Sequence, residues 1–239
     1  MQKTKRDEAM LEWLAVVRMA GMPALRYALA GVQGVEQPVS LRRAQWWASR
    51  MISAGLVGRT RVNYRSGSIV WPTFAAVGAA APNLFRQTTR HEITVAEVSA
   101  RYLAKGYSWQ RDRKPTSWID HQGDGIATRG NHVDLIEVEL SPKTPARYKP
   151  ICENHAYRMA HEGFSRVLYL CTADAARTVS READRFIFRD FRSRLEVMHV
   201  FNEEGNWIGG DDVLNLVTPA STEPIMTNEL DGLELGGLR

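Results

Sequence analysis

Between Asp7 and Ala20 the apolar residues Met10, Leu11, Leu14, Val17 and Met19 recur at near-helical spacing, and Gly21 with Pro23 then stops the run. A second short helix is expected from Ala24 to Ala30, with Gly31 and Gly34 breaking the chain behind it. Ser40 stands where an N-cap belongs, ahead of a third helix reaching about Ala54, and Gly55 ends it. That helix divides into two faces. Leu41, Ala44, Trp47, Ala48, Met51 and Ile52 form the apolar side, and Arg42, Arg43, Gln45, Trp46, Ser49 and Arg50 the polar one. Residues 55–71 then alternate through two strands around Ser66-Gly67-Ser68, a hairpin carrying Arg59, Arg61 and Arg65.

Past a break at Gly78 to Pro82, the pattern changes. A helix is expected from Glu92 to Lys105, then short strands at Tyr107–Gln110, Ser117–Asp120, Gly125–Thr128 and Val133–Leu140, with Arg129-Gly130-Asn131 as a tight turn. A helix from Ala146 to His161, a strand from Arg166 to Cys171, a helix from Ala175 to Phe191 and a strand from Leu195 to Phe201 complete the series. Such alternation predicts a mixed sheet covered by helices. The fold class is therefore α+β: a winged helix-turn-helix over residues 1–82, a mixed-sheet α/β domain over residues 88–202, and an acidic, partly disordered tail over residues 203–239.

Charge sharpens this division. The net charge is +4, but the tail holds eight acids and a single base, leaving 30 Lys and Arg against 19 Asp and Glu on residues 1–202. A body this basic suits a polyanion, and double-stranded DNA fits the helix and hairpin pattern best. Arg42 and Arg43 have the fork to read guanine and Gln45 the amide to read adenine, with Ser40 and Trp46 beside them. Arg50, Arg59, Arg61 and Arg65 are placed to meet the backbone or the minor groove. The competing reading of the same module is protein binding or dimerisation with an idle basic face. Cys152 and Cys171 have no zinc-type spacing and are expected as reduced core thiols. No apolar run reaches membrane length and the charged start lacks a secretory pattern, so no membrane partner and a cytoplasmic location are expected.

Candidate chemistry gathers on the central hairpin. Asp124 begins one strand, and Glu137, Glu139, Ser141 and Lys143 share one face of the next by period-two alternation. Carboxylates from adjacent strands make an oxygen-rich site for Mg²⁺ or Mn²⁺, with Asp124, Glu137 and Glu139 as ligands, Lys143 orienting the nucleophile or neutralising charge, and His121 as an added ligand or base. The alternative is that Glu137 and Glu139 lie on a solvated edge or pair with Arg147 or Lys149. His155 and His161 are expected on a polar helix face and not as metal ligands, since no partner stands at i+4 on the same helix: Met159 occupies the position four after His155.

The run His121-Gln122-Gly123-Asp124-Gly125, followed by Ile136-Glu137-Val138-Glu139-Leu140-Ser141-Pro142-Lys143 and Arg147-Tyr148, resembles the replication-relaxation family of plasmids, phages and actinobacterial mobile elements. The likeness extends over residues 10–172 and includes His91-Glu92. It implies a winged helix coupled to a domain similar to the PD-(D/E)XK restriction-endonuclease core, with Asp124 as first acid and Glu137 or Glu139 as second. The chain departs from the nuclease pattern in one respect: Glu139, not Lys, stands two residues after Glu137, and Lys143 lies beyond Pro142. Three functions follow as expectations. One is a sequence-specific DNA-binding regulator or replication accessory factor, with a nuclease-like domain that serves binding or homodimer formation. The others are a metal-dependent nuclease or nickase and a host-directed interaction protein using Trp46 and the leucines of the tail.

Overall fold

The computed structural model describes residues 2–62, 67–117, 120–210 and 213–214, so Arg65 and the leucine-bearing tail lie outside the described residues. The chain opens on α1 (Lys5–Val17), whose capping box is closed by Thr4 and Asp7: each accepts a backbone N–H from the other. Strand β1 (Ala20–Gly21) and α2 (Met22–Gly31) follow, then α3 (Leu41–Ser53). Ser40 caps α3 by accepting the Arg43 N–H at 3.3 Å, and Gly55 ends it with φ of +72°. Strands β2 (Val57–Arg61) and β3 (Ser68–Pro72) form an antiparallel hairpin, and β1 pairs with β3 on its other edge. The two-residue β1 was not visible as a strand in the sequence.

Ala44, Trp47, Ala48 and Met51 pack α3 onto Met10, Leu14, Leu25 and Leu29. Leu41, expected among them, is instead 47% exposed. The junction between α1 and α3 is held by one carboxylate: Asp7, wholly buried, accepts from Trp47 Nε1 at 3.0 Å and from the Arg50 guanidinium. Burial opposes the charge of Asp7, yet the bonds from Arg50, Thr4 and Trp47 outweigh it and lower its pKa to about 2.

After a single turn, α4 (Phe74–Val77), comes α5 (Thr89–Ala104), which serves both halves of the molecule. Ala96 and Ala100 belong to the core around α1 to α3, whereas Val95, Val98 and Tyr102 pack on the large sheet. Close approach of α2 to α5 rests on Gly31, where a Cβ would lie 2.6 Å from the Leu103 carbonyl carbon.

The large sheet runs β4 (Ser108–Gln110), β5 (Gly125–Arg129), β6 (His132–Glu139), β7 (Arg166–Thr172) and β8 (Leu195–Phe201) in that spatial order. The β4–β5–β6 pairs are antiparallel and the β6–β7–β8 pairs parallel. The parallel steps are bridged by α6 (Pro145–His161) and α7 (Ala173–Phe186), the latter followed by a turn of helix, α8 (Arg189–Arg192). Alternation along β6 sends Ile136 and Val138 to the α5 side and Leu135 to the α6/α7 side. Strand β7, covered on both faces, is buried at every position.

Two expected elements differ. Ser117 and Asp120 are not in a strand; they belong to the irregular connection between β4 and β5. The helix expected to continue to Phe191 ends at Phe186, because Ile187 turns extended at ψ of 141°. Both cysteines are buried and unpaired, as expected. Among the described residues no helix is long and apolar enough to cross a membrane.

Candidate functional site

Two surfaces carry the residues singled out by sequence. On the first, α3 and the β2–β3 hairpin wall a trough of about 1050 Å³. Leu41, Gln45 and Ser49, each one turn apart, line it from α3; Arg59 and Arg61 line it from β2, where two-residue spacing exposes both; Arg26 lines it from α2. Arg26 was not anticipated, since its place on α2 gives no signal until α2 and the hairpin are brought together. Arg42 and Arg43 are exposed but stand outside the lining of the trough, and Arg43 donates to Gln33 Oε1 at 3.2 Å. Trp46 is 59% exposed with the Arg50 guanidinium 5.3 Å from its ring centroid. Arg50, expected at a phosphate, is turned inward onto Asp7 because that buried carboxylate requires a cation.

The second surface is the end of the large sheet where β5 and β6 part. The Gly123-Asp124-Gly125 run is fitted there by its glycines: a Cβ on Gly123 would meet Leu135 Cδ1 at 2.7 Å, and one on Gly125 would meet Trp109 at 2.0 Å. The Gly123 N–H donates to Asp112 Oδ2 at 2.7 Å, and Asp112 is in turn gripped by both terminal nitrogens of buried Arg158, at 2.6 and 2.8 Å. This anchor fixes the backbone that presents His121 and Asp124.

Asp124 Oδ2 accepts the Val138 N–H at 2.7 Å, and His91 Nε2, from the first turns of α5, lies 3.2 Å from the same oxygen and 3.0 Å from the Val138 carbonyl. An imidazole, a carboxylate and a peptide carbonyl thus meet at one point. Burial disfavours the His91 cation, but the charge and hydrogen bond of Asp124 and the Val138 carbonyl outweigh it and raise the pKa to about 9. Asp124 is lowered in return: burial raises its pKa, and His91 with the Val138 N–H more than reverses this.

Glu137, buried on the α6 side of β6, takes a different partner. Its Oε1 lies 2.9 Å from His121 Nε2 and 3.5 Å from His155 Nε2. Burial raises its pKa and the Asp124 charge adds to the rise, against the pull of His121 and Lys143. Wholly buried His155 has its pKa driven well below the usual value by desolvation, with His121 and Arg158 adding to it, and its Nε2 lies 2.9 Å from the Tyr169 hydroxyl. His155 was expected on a polar helix face and is buried instead, because its partners come from β6, β7 and a loop rather than from its own helix.

Glu139 forms an ion pair with Lys143. The chain turns back beyond Pro142, and the Lys143 N–H donates to the Tyr148 hydroxyl at 3.0 Å, which anchors the reversal. Burial lowers the pKa of Lys143, with the Glu137 and Asp124 charges opposing that shift. Among the described residues no ion pair joins the glutamates to Arg147 or Lys149: both glutamates are buried, and Lys149 faces Glu153 instead, 4.0 Å away. Lys143 is therefore gathered to the acids despite its displaced position in the sequence.

In comparisons with known proteins, no family, no curated protein and no solved structure matches this chain.

Proposed function

We propose that this chain is a sequence-specific double-stranded-DNA-binding protein whose amino-terminal helices and hairpin act as a winged helix-turn-helix. The observation that carries the reading is the trough in which Gln45 and Ser49 of a capped helix face Arg59 and Arg61 of the following hairpin. In such a module the helix reads base edges while the hairpin arginines grip the sugar-phosphate backbone. Arg42 and Arg43, exposed at the N-terminal end of α3, extend the basic surface beyond the trough. The role of a regulator or replication accessory factor of a mobile element rests on the likeness of short motifs alone, since no family model matches the chain. Selection of duplexes from a random pool, followed by binding in a salt series, tests it: an enriched motif with a steep salt dependence is expected. Equal binding to every duplex would overturn it.

A second reading, metal-dependent phosphodiester cleavage by a restriction-endonuclease-like carboxyl-terminal domain, is favoured by the meeting of His91, Asp124 and the Val138 carbonyl beside Glu137. The donor set fits a divalent cation, and its imidazole favours Mn²⁺ over Mg²⁺. Mg²⁺ or Mn²⁺ held there by His91, Asp124 and the Val138 carbonyl would supply activation of water and neutralisation of phosphate charge. The protein's own part is then to hold Asp124 ionised, through the Val138 N–H and His91, and to keep the Lys143 ammonium near the acids. Incubation with supercoiled DNA and either metal is expected to give nicked product that disappears in Asp124→Ala. Absence of nicking with both metals would leave the domain as a binding or dimerisation unit.

A further inference from the structure

We infer that His121, Glu137 and His155 form a binding site for a first-row transition cation of the Zn²⁺ or Co²⁺ type, distinct from the His91–Asp124 point and not dependent on DNA cleavage. Each of the three offers a ligand atom, and these atoms all lie within 4.8 Å of one another. They come from three separate parts of the fold: the loop before β5, the middle of β6 and the body of α6. The two imidazole rings stand edge to face with centroids 5.5 Å apart, and both turn an Nε2 toward the same Glu137 oxygen.

The chemistry of the set selects the ion. Two imidazoles and one carboxylate suit a borderline cation such as Zn²⁺ or Co²⁺, whereas Mg²⁺ and Ca²⁺ prefer oxygen alone. Three protein ligands also leave a coordination position open. The surroundings favour such a site. His155 and Glu137 are buried, so neither moves freely, and His155 lies 2.9 Å from the wholly enclosed Tyr169 hydroxyl. His121 is 22% exposed and gives the ion a way in.

The test uses the full chain and Co²⁺ alone, read by its visible d–d absorption, with Zn²⁺ as competitor. Saturable binding is expected, with the absorption bleached by Zn²⁺ and unaffected by a large excess of Mg²⁺. With Asp124→Ala in the background, so that the His91–Asp124 point cannot hold Co²⁺, His121→Ala and His155→Gln should each weaken the remaining Co²⁺ binding by at least about tenfold. Circular dichroism of each variant checks folding, and His121→Ala, on the partly exposed loop, decides the matter if His155→Gln fails to fold. Co²⁺ binding that is absent in the Asp124→Ala chain, or that survives His121→Ala in that background, would overturn the inference. Neither the duplex-selection result nor the nicking result enters this test, so the readings fail separately.

Discussion

His91 Nε2 lies 3.2 Å from Asp124 Oδ2, joining the start of α5 to the mouth of the β5–β6 hairpin. The pair matters because the Val138 peptide completes it from both sides, donating its N–H to Asp124 and offering its carbonyl to His91. The pKa of His91 is raised to about 9 from 6.5. A group whose folded pKa is raised stabilises the fold fully below its unfolded value and loses that contribution as pH rises through the folded one. Metal-free wild-type protein should thus lose stability between about pH 6.5 and 9 relative to His91→Gln, measured by urea unfolding at several pH values. Parallel pH profiles for the two proteins would contradict the pair. Because a cation at this point must displace the His91 proton, Mn²⁺ affinity should climb as pH rises through the same window.

Acid stability should depend on Asp7. Its pKa is lowered to about 2 from 3.8, so its contribution is complete above 3.8 and is lost as pH falls through about 2. Wild-type unfolding free energy should decline across that interval more steeply than that of Asp7→Asn. The same substitution should loosen α3, read as faster amide exchange of Trp47 and its neighbours, since Asp7 holds both Trp47 and Arg50. Unchanged exchange in α3 would show that apolar packing alone fixes that helix.

Gly31→Ala should destabilise the fold by about 1–3 kcal/mol, the usual cost of overpacking a tight contact. The added methyl would meet backbone atoms of Leu103 and Ala104 rather than a flexible side chain, so α2 and α5 must separate. Chemical denaturation checks this, and a neutral result would mean that the two helices shift apart freely.

Breaking the Asp112–Arg158 pair should cost about 3–5 kcal/mol, as expected for an uncompensated buried charge. Both groups are buried, and Asp112 also holds the Gly123 N–H. Asp112→Ala is therefore expected to release the Asp124 loop as well, seen as protease cleavage between Asp112 and Asp124. A stable, uncut variant would refute the anchoring role.

Much of the layout was legible in local chemistry. Ser40 and Gly55 mark the two ends of α3, alternation marks β6, and the strand from Leu195 to Phe201 is found at its expected limits. The overlong α7 came from Phe188 and Phe191 continuing the helical period with no Gly or Pro to signal the stop at Ile187. Asp124 and Glu137 were visible as acids of adjacent strands, and His121 as a candidate beside them, but the pairing of His91 with Asp124 and of His155 with Glu137 was not, because they meet across 33 and 18 residues, which no local pattern encodes. The inward turn of Arg50 was hidden for the same reason, because its partner Asp7 lies 43 residues away.

The central claim is base readout by α3 with the β2–β3 hairpin gripping phosphates. The most direct measurement compares wild type, Gln45→Ala, Arg43→Ala and Arg59→Ala on the selected duplex and on a scrambled one across a salt series. Gln45→Ala and Arg43→Ala should each weaken binding to the selected duplex by about 1–3 kcal/mol and relax its preference, while Arg59→Ala should weaken both duplexes alike and lower the salt slope by about one. Equal affinity for both duplexes, unchanged by Gln45→Ala or Arg43→Ala, would contradict the account.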